Sequence, residues 1–248
     1  MTLTALPHRM VLDASRNTEV SRPALWGVLG YRTSGELSSF PGALTFRREQ
    51  VIFVEGDETA SMFQLLDGMV SLYRLLPDGR RQVIEFALPG DLLGFTPTGR
   101  HIHSAMAVSQ CQIAAFSRAA LDTAITRDPQ LAKGMLENAY ALLSKAHGQL
   151  MTLGRKSALE RVASFLLDLS LRLGDAEVPA REVALPMTRS DIADHLGLTI
   201  ETVSRSFSKL KKEGVISLTG QHVAEIRDLP RLAELAGGDI DIPRVLAA

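Results

Sequence analysis

Little in the sequence suits a secreted or membrane-bound protein. Only one of the 248 residues is a cysteine, which rules out a disulfide within the chain. No apolar run approaches the roughly 20 residues that a membrane-spanning helix requires. The N-terminus also lacks the compact apolar core of a signal peptide. Together these absences predict a cytoplasmic protein.

The chain has no marked excess of charge of either sign. Its 27 lysines and arginines nearly balance its 28 aspartates and glutamates, so the net charge of −1 does not by itself indicate nucleic acid as a partner. A DNA-binding domain need only be basic locally. Hydrophobic residues make up 46% and charged residues 22%, which is typical of a folded globular protein. The length is sufficient for one large core or two small ones.

Short strands are indicated through the first half of the chain. Residues 50–54 and 69–76 are rich in β-forming side chains, and the second run meets a strong turn at Pro77-Asp78-Gly79. Similar runs, at residues 62–66 and 81–88, give the regular spacing of a β-sandwich or barrel. Residues 1–35 are irregular and are expected to form an extension, with a candidate short helix at 24–29.

The periodicity becomes helical after Asp128. Apolar or small residues then recur at alternating intervals of three and four over three heptads, to about residue 152. This pattern fits a helix that packs on its own β domain, and it also fits a dimer seam. The length of the helix and its alanines, which permit close approach of two backbones, favour the dimer. The predicted interface residues are Ala132, Met135, Ala139, Leu142, Ala146, Gln149 and Leu153.

Two helices joined by a tight turn are indicated at residues 188–213, the most informative stretch of the chain. Ser190 and Asp191 are good helix-starting residues. Gly197 lies where the first helix ends, since glycine takes the left-handed conformation without a side-chain clash. Thr199 is a suitable cap for the second helix. The second helix has one apolar stripe, predicted to be buried. The members of that stripe are Ile200, Val203, Phe207 and Leu210.

The opposite side of the second helix is polar and partly basic, as in a helix that enters the major groove of DNA. Arginine can pair with guanine, and glutamate can accept from the amino group of cytosine. Lysines would meet phosphates. The predicted base contacts are Glu201, Ser204 and Arg205. The predicted contacts to the DNA backbone are Thr199, Ser208, Lys209, Lys211 and Lys212.

The same spacing also fits an ordinary amphipathic helix pair whose charges form a solvated face. The residues that follow favour DNA binding. The runs Val215-Ile216-Ser217-Leu218 and Val223-Ala224-Glu225-Ile226, separated by a turn, predict a small hairpin. A helix-turn-helix followed by such a two-stranded wing is a common DNA-binding unit.

The run DIADHLGLTIETVSRSFSKLKKEGVI, at residues 191–216, closely resembles the C-terminal domain of the CRP/FNR family of bacterial transcription regulators. The order Glu201, Ser204, Arg205 is similar to that of the FNR/FixK branch. Ile200 stands where the cyclic-AMP receptors have an additional arginine. The resemblance extends weakly over residues 36–228.

This resemblance implies an α+β fold in three parts after the N-terminal extension. The first part, over 36–126, is an N-terminal β-roll, which is a jelly-roll sensor domain like those that bind cyclic nucleotides. The second is a dimerisation helix over 127–154, and the third is a C-terminal winged helix-turn-helix over 155–248. It also implies a function: a transcription activator, not an enzyme, that binds a TTGAT-type palindrome as a homodimer. The implied partners are this DNA and RNA polymerase, and the implied targets are low-oxygen or nitrogen-related genes.

The β-roll departs from its cyclic-nucleotide-binding relatives at the ligand. In those proteins a Gly-Glu-Leu turn holds the ribose and an Arg-Ser-Ala segment holds the phosphate. The corresponding residues here are Gly90-Asp91-Leu92 and His103-Ser104-Ala105. A neutral histidine lacks the fixed, forked charge that binds a cyclic phosphate well. A cyclic nucleotide is therefore not expected.

Other cofactors have little support from the residues. An FNR-type iron–sulfur cluster needs about four cysteines, and only Cys111 is present, which is expected to pack inside a strand. Thr188 stands where some FixK-like proteins have a redox-sensitive cysteine. His101 and His103 would face the same side of a strand, but a metal site usually needs a third ligand.

Two alternatives remain beside the ligand-free regulator. One is a ligand-gated sensor regulator that responds to haem-bound nitric oxide, with His101 or His103 at the haem, or to a small molecule. The other, less favoured, is a cupin-type β-roll metalloenzyme. Tight and specific binding of a palindrome by a colourless protein, with no additive, would favour the ligand-free regulator over both.

Overall fold

The computed structural model describes residues 43–59, 61–96, 98–174, 178–220 and 222–237. The extension predicted over 1–35, with its short helix at 24–29, lies outside these residues. Within the described ranges, no helix combines the length and apolar character needed to cross a membrane.

Among the described residues, eight strands form the first domain. They are β1 (Leu44–Phe46), β2 (Val51–Phe53), β3 (Ser61–Asp67), β4 (Val70–Leu75), β5 (Arg81–Ala87), β6 (Leu92–Leu93), β7 (Ser104–Ala107) and β8 (Cys111–Ser117). They pair as two antiparallel four-stranded sheets, in the orders β1-β8-β3-β6 and β2-β7-β4-β5. Leu65, Val70 and Ile113 are fully buried between the sheets. This is the β-roll that the family resemblance implied, and it agrees with the sandwich or barrel that the spacing of the strands predicted.

Two helices follow the roll, α1 (Arg118–Arg127) and α2 (Pro129–Arg155). The sequence predicted α2 but not α1, which was assigned to the β domain. Asp128 caps α2 by accepting from the N–H of Gln130, and Pro129 suits the first helical position. Helix α2 extends slightly beyond the heptad pattern, which ended at about residue 152, because it continues through Gly154 and ends at Arg155. A single glycine costs a long helix only about 1 kcal/mol.

The second domain contains four helices and a small sheet within the described residues. They are α3 (Ala158–Leu173), β9 (Glu182–Ala184), α4 (Arg189–Leu196), α5 (Ile200–Lys212), β10 (Ile216–Thr219), β11 (Val223–Ile226) and α6 (Leu229–Leu235). A capping box between Ser157 and Glu160 starts α3. The wing has three strands rather than the predicted two, because β9, which lies between α3 and α4 in the chain, pairs with β11.

One hydrophobic core joins the two domains. Val83 and Phe86 of β5 belong to the same buried cluster as Phe165 of α3 and Ile192 of α4. The rings of Phe86 and Phe165 meet edge to face, with centroids 5.9 Å apart. Strand β5 therefore supports the helix-turn-helix directly.

Candidate nucleic-acid interface

Helix α4 begins with a capping box. The hydroxyl of Thr188 accepts from the N–H of Asp191 at 3.1 Å, and Asp191 Oδ2 accepts from the N–H of Thr188 at 2.8 Å. The helix therefore starts at Arg189, one residue before the predicted Ser190. Its buried side packs Ile192 and Leu196 into the shared core. This packing fixes the first helix of the pair.

A glycine makes the tight turn between α4 and α5. Gly197 has φ of 62°, the left-handed conformation that the sequence predicted, and Leu198 N–H donates to Ala193 O at 3.0 Å. Thr199 then caps α5 by accepting from the N–H of Thr202 at 3.2 Å. The second helix is thus held at a defined angle to the first.

The apolar side of α5 faces the core, with one exception to the prediction. Val203, Phe207 and Leu210 are buried as expected. Ile200 is 47% exposed, so its assignment to the buried stripe was wrong. It is the first residue of the helix and lies beside the turn, beyond the reach of the core.

All the residues predicted to contact DNA are exposed on α5 or at its cap. At 3.6 residues per turn, Glu201, Ser204 and Arg205 lie on one face of the helix. Ser208 and Lys212 extend this face along the next turns. The full exposed set is Thr199, Glu201, Ser204, Arg205, Ser208, Lys209, Lys211 and Lys212. The structure thus presents the predicted recognition face to solvent.

Few contacts restrain the charged members of this face. Arg205 Nη2 donates to Thr202 Oγ1 at 3.3 Å, and Lys209 pairs with Glu213 at 3.8 Å on the surface, where ion pairs contribute little. The backbone N–H of Glu201, followed by the Thr199 hydroxyl, holds the pKa of Glu201 below its usual value. An ionised Glu201 is an acceptor only, as contact with a cytosine amino group requires.

Arg189 is a member of this region that sequence reasoning missed. Its guanidinium lies over the ring of Phe207, with Cζ 3.7 Å from the centroid. Nη1 is buried and has no hydrogen-bond partner within the described residues. Burial lowers the pKa of Arg189. The stacking packs the start of α4 onto α5, a contact for which the sequence offers no local signal.

In the β-roll, the acidic residue at the ribose position is engaged by the second domain. Asp91 Oδ2 accepts from Arg172 Nη2 at 2.6 Å and from the N–H of Leu88 at 2.8 Å. Arg172, on α3, also donates to Phe86 O at 3.0 Å. At the phosphate position, burial lowers the pKa of His103, which favours the neutral imidazole at pH 7.

The two histidines considered for a metal do not share a strand face. His101 and His103 precede β7, which begins at Ser104, so the premise of alternate strand positions was wrong. His101 is buried and stacks on Phe53, with ring centroids 3.9 Å apart. No group of three or more histidine, cysteine, aspartate or glutamate side chains suited to a metal occurs among the described residues.

The single thiol is enclosed within the roll. Cys111 starts β8, as the predicted strand location requires, and is fully buried. Its Sγ donates to Met69 O at 3.2 Å, and burial raises the pKa of the thiol. A protonated, buried thiol reacts slowly.

The residues of the predicted dimer seam divide between two environments. Met135 packs against Met62, Leu121 and Leu131 of its own chain, and Gln149 Nε2 donates to His195 O at 3.3 Å. These two are therefore engaged within the chain, which departs from the prediction. Ala132 and Leu153 are half-buried, whereas Ala139, Leu142 and Ala146 are exposed.

A stripe of larger apolar side chains lies next to that seam. Its members are between 53% and 68% exposed. Four of them each lie one position after a predicted seam residue, so the stripe is rotated by about 100° around the helix from the predicted seam. Exposed apolar surface of this kind marks an interaction site. We call these residues the α2 stripe: Leu136, Tyr140, Leu143, Leu150 and Met151.

Comparison with known proteins finds family models for both domains. Residues 43–128 match the model of the cyclic nucleotide-binding domain. Residues 160–235 match the model of the Crp-like helix-turn-helix domain. The second match includes α3, the helix-turn-helix and the wing.

Individual relatives cover most of the chain. It is 46% identical over 173 residues to the nitrogen fixation regulation protein FixK of Bradyrhizobium diazoefficiens, which spans 70% of this chain and 73% of that protein. It is 40% identical over 213 residues to the transcriptional activatory protein AadR of Rhodopseudomonas palustris, spanning 86% and 89%. The solved structure of FixK2 from Bradyrhizobium japonicum superimposes with a TM-score of 0.72 at 37% identity, covering 78% of this chain and 96% of that one.

Proposed function

Because the chain belongs to the CRP/FNR family of DNA-binding transcription regulators, we propose that it binds a TTGAT-type palindrome as a homodimer and activates transcription there. The observation that carries this proposal is the exposed face of α5, where Glu201, Ser204 and Arg205 lie together. An arginine beside a glutamate on such a face suits a guanine–cytosine pair.

The base contacts follow from hydrogen-bonding chemistry. Arg205 would donate two hydrogen bonds to the guanine of TTGAT, and Glu201 would accept from the amino group of the cytosine paired with it. The exposed hydroxyl of Ser204 can donate or accept at a neighbouring base. Discrimination at this pair therefore depends on Arg205 and Glu201.

The remaining polar residues of α5 suit the DNA backbone. Lys209, Lys211 and Lys212 are exposed in the last turns of the helix, and Thr199 and Ser208 are exposed at its cap and along its length. Lysines that neutralise phosphates release bound counterions, so binding weakens as salt is added. Such contacts position the helix without reading sequence.

The α2 stripe supports the homodimer. Two copies of α2 packed side by side along the stripe would bury its apolar side chains, and the exposed Ala139 and Ala146 beside it leave room for close approach. A two-fold axis along the helix pair places two recognition helices in one palindrome.

The names of the relatives support the gene class and the direction of control. FixK is a nitrogen fixation regulator and AadR an activatory protein, so we assign this chain to low-oxygen or nitrogen-related genes, with RNA polymerase as partner. Its relatives are regulators rather than enzymes, and we assign no catalysis to this chain. The proposal includes a cytoplasmic location and no bound iron–sulfur cluster or cyclic nucleotide.

The test is an electrophoretic shift with no added ligand, using a TTGAT palindrome and a scrambled sequence. Arg205→Ala should cost about 1–3 kcal/mol, or about 5- to 150-fold in affinity, and relax the preference at the guanine position. Lys211→Ala is the matched control, since it should weaken binding to all DNA sequences equally and lower the salt slope by about 1.

Equal affinity of the wild type for palindrome and scrambled DNA would contradict the proposal. So would an Arg205→Ala variant that loses affinity with no change in preference at any base. An absorption spectrum of the purified protein completes the test, because a coloured protein that needs its chromophore for DNA binding would favour the haem-gated alternative.

A further inference from the structure

Helix α4, the first of the DNA-binding pair, is held on strand β5 of the β-roll by an ion pair between domains. Arg81, the first residue of β5, donates from Nε and Nη2 to Asp194 Oδ2 at 3.1 and 3.0 Å. Its Nη2 also pairs with Asp191. The side chains of Arg81, Asp191 and Asp194 are 23%, 14% and 29% exposed. Because they are sheltered, this cluster is less screened than a surface pair.

Hydrogen bonds to the backbone extend the contact along β5. Gln82 Nε2 donates to Asp194 O at 2.6 Å, and His195 Nδ1 donates to Val83 O at 3.2 Å. Three successive residues of β5, from Arg81 to Val83, therefore bind three residues of α4, namely Asp191, Asp194 and His195. The helix cannot slide along the strand or turn about its axis without breaking several of these bonds.

The C-terminal end of α4 is attached to the long helix α2. Arg161 donates from Nη1 to Leu196 O at 2.9 Å and from Nη2 to Leu153 O at 2.8 Å. Gln149 of α2 donates to His195 O. A single guanidinium thus joins the last turn of α2 to the last residue of α4. With β5 on one side and α2 on the other, α4 is fixed relative to the α2 stripe.

The geometry points to Arg81 as a positioning residue that sets the half-site spacing that the protein accepts. This inference rests on the proposed function, the reading of a palindrome by a homodimer. Arg81 lies in the β-roll and touches α4 rather than α5, whose exposed recognition face stays clear of β5. By holding α4, and through it the short turn to α5, Arg81 defines the separation and twist of the two recognition helices.

The DNA makes this role measurable. One added base pair moves a half-site by about 3.4 Å and rotates it by about 35° around the duplex. A dimer with rigidly held recognition helices cannot follow that change and must deform the DNA or lose contacts. A dimer in which α4 is released from β5 can follow the displaced half-site. Such a dimer gains less affinity from the second half-site, because its free recognition helix has a lower effective concentration there.

The experiment measures the affinity of the full-length protein for three DNAs: a single half-site, the best-spaced palindrome, and the same palindrome with one base pair added. Arg81→Met removes the ion pair and keeps an apolar stem. Arg80→Met is the matched control, because Arg80 is the adjacent arginine, is 77% exposed and pairs with Asp78 in its own turn.

For the wild type and for Arg80→Met, the added base pair should cost about tenfold or more in affinity. For Arg81→Met, the best-spaced palindrome should bind about tenfold more weakly than it does to the wild type, and the penalty of the added base pair should fall to about threefold or less. The affinity of Arg81→Met for the single half-site should stay within about twofold of the wild-type value. A charge exchange gives a second readout. Asp194→Arg should behave like Arg81→Met, and Arg81→Asp combined with Asp194→Arg should restore the spacing preference.

Two outcomes overturn the role of Arg81 while leaving the proposed function intact. One is an equal loss on the half-site and on both palindromes, which would mean that Arg81 stabilises the DNA-binding domain itself. The other is an unchanged spacing penalty in Arg81→Met. Failure of the proposed function looks different, since the wild type would then bind the single half-site and the palindrome equally.

Discussion

At the residue scale, two side chains separate this β-roll from the cyclic-nucleotide binders that it resembles. Asp91 is shorter than the glutamate of those proteins and is held by Arg172 of α3 at 2.6 Å. His103 replaces the phosphate-binding arginine, and burial lowers its pKa. An acid bound to the other domain and a neutral imidazole leave neither the ribose nor the cyclic phosphate with its usual partner.

We therefore predict that the protein does not bind cyclic nucleotides. Calorimetric titration with cyclic AMP and cyclic GMP should show no binding at micromolar concentrations, because the charged partner of the phosphate is missing. Titration of the same preparation with the TTGAT palindrome is the control for active protein. A micromolar dissociation constant for either nucleotide would disprove the assignment.

At the scale of the element, one face of α2 is packed within its own chain and another face is exposed. The face with Met135 and Leu131 packs on its own β-roll, and the α2 stripe remains exposed. Apolar side chains of this size are seldom left in solvent along one side of a long helix. The exposed side is thus the one available to a second copy.

We predict that Leu143→Glu converts the dimer to a monomer and abolishes the gain in affinity of a palindrome over a single half-site. A glutamate at the centre of the stripe would bury charge between two copies. Sedimentation equilibrium measures the first effect and an electrophoretic shift the second.

Ala141→Glu is the matched control for that variant. Ala141 is exposed on the opposite side of α2 from Leu143, so the same new charge should stay in solvent and the dimer should persist. If both variants dissociate the dimer, or if neither does, the α2 stripe is not the interface.

At the scale of the whole molecule, His195 lies where the two domains meet. Its ring packs between Phe86 and Phe165, with centroids 5.3 and 5.7 Å away, and Nδ1 donates to Val83 O. Burial lowers the pKa of His195 below its ordinary value of 6.5, and the charge of Lys145 lowers this pKa further. The hydrogen bond to Val83 O and two nearby carboxylates raise the pKa, but by less than burial lowers it. The carboxylates are Asp168 and Glu85.

This arrangement predicts a loss of stability in mild acid. As the pH falls below about 6.5, the unfolded chain takes up a proton at His195 while the folded chain resists it, so the free energy of unfolding decreases. Well above that pH the imidazole is neutral in both states and has no such effect. Urea unfolding at pH 8, 7, 6 and 5.5 measures the trend.

His195→Gln should make the decline between pH 7 and 5.5 shallower, since an amide keeps a donor for Val83 O and does not titrate. A residual slope should remain, because burial also lowers the pKa of His101 and His103. His222→Gln, at an exposed position, is the control and should follow the wild type. An unchanged slope in His195→Gln would refute the role of this residue.

Local patterns in the sequence were enough for the recognition helix and most strands. The period of 3.6 residues placed Glu201 and Arg205 on the side away from Phe207, with Ser204 next to them, and the turn at Gly197 required only a residue that accepts positive φ. These features depend on neighbours within a few positions. The ten-residue helix α1 was not predicted, because its few apolar residues give only a weak helical periodicity.

Tertiary structure alone decided which side of α2 is exposed, how β9 completes the wing, and how the domains are joined. Whether Met135 or Leu136 is covered depends on Met62, more than 70 positions earlier in the chain. Arg81 and Asp194 are 113 positions apart, and no local pattern in the sequence indicates that they pair. The sequence by itself determined the side chains of the proposed recognition face, because they all lie in or next to one helix. The folded chain decided how that helix is held, because its supports are contacts between distant segments.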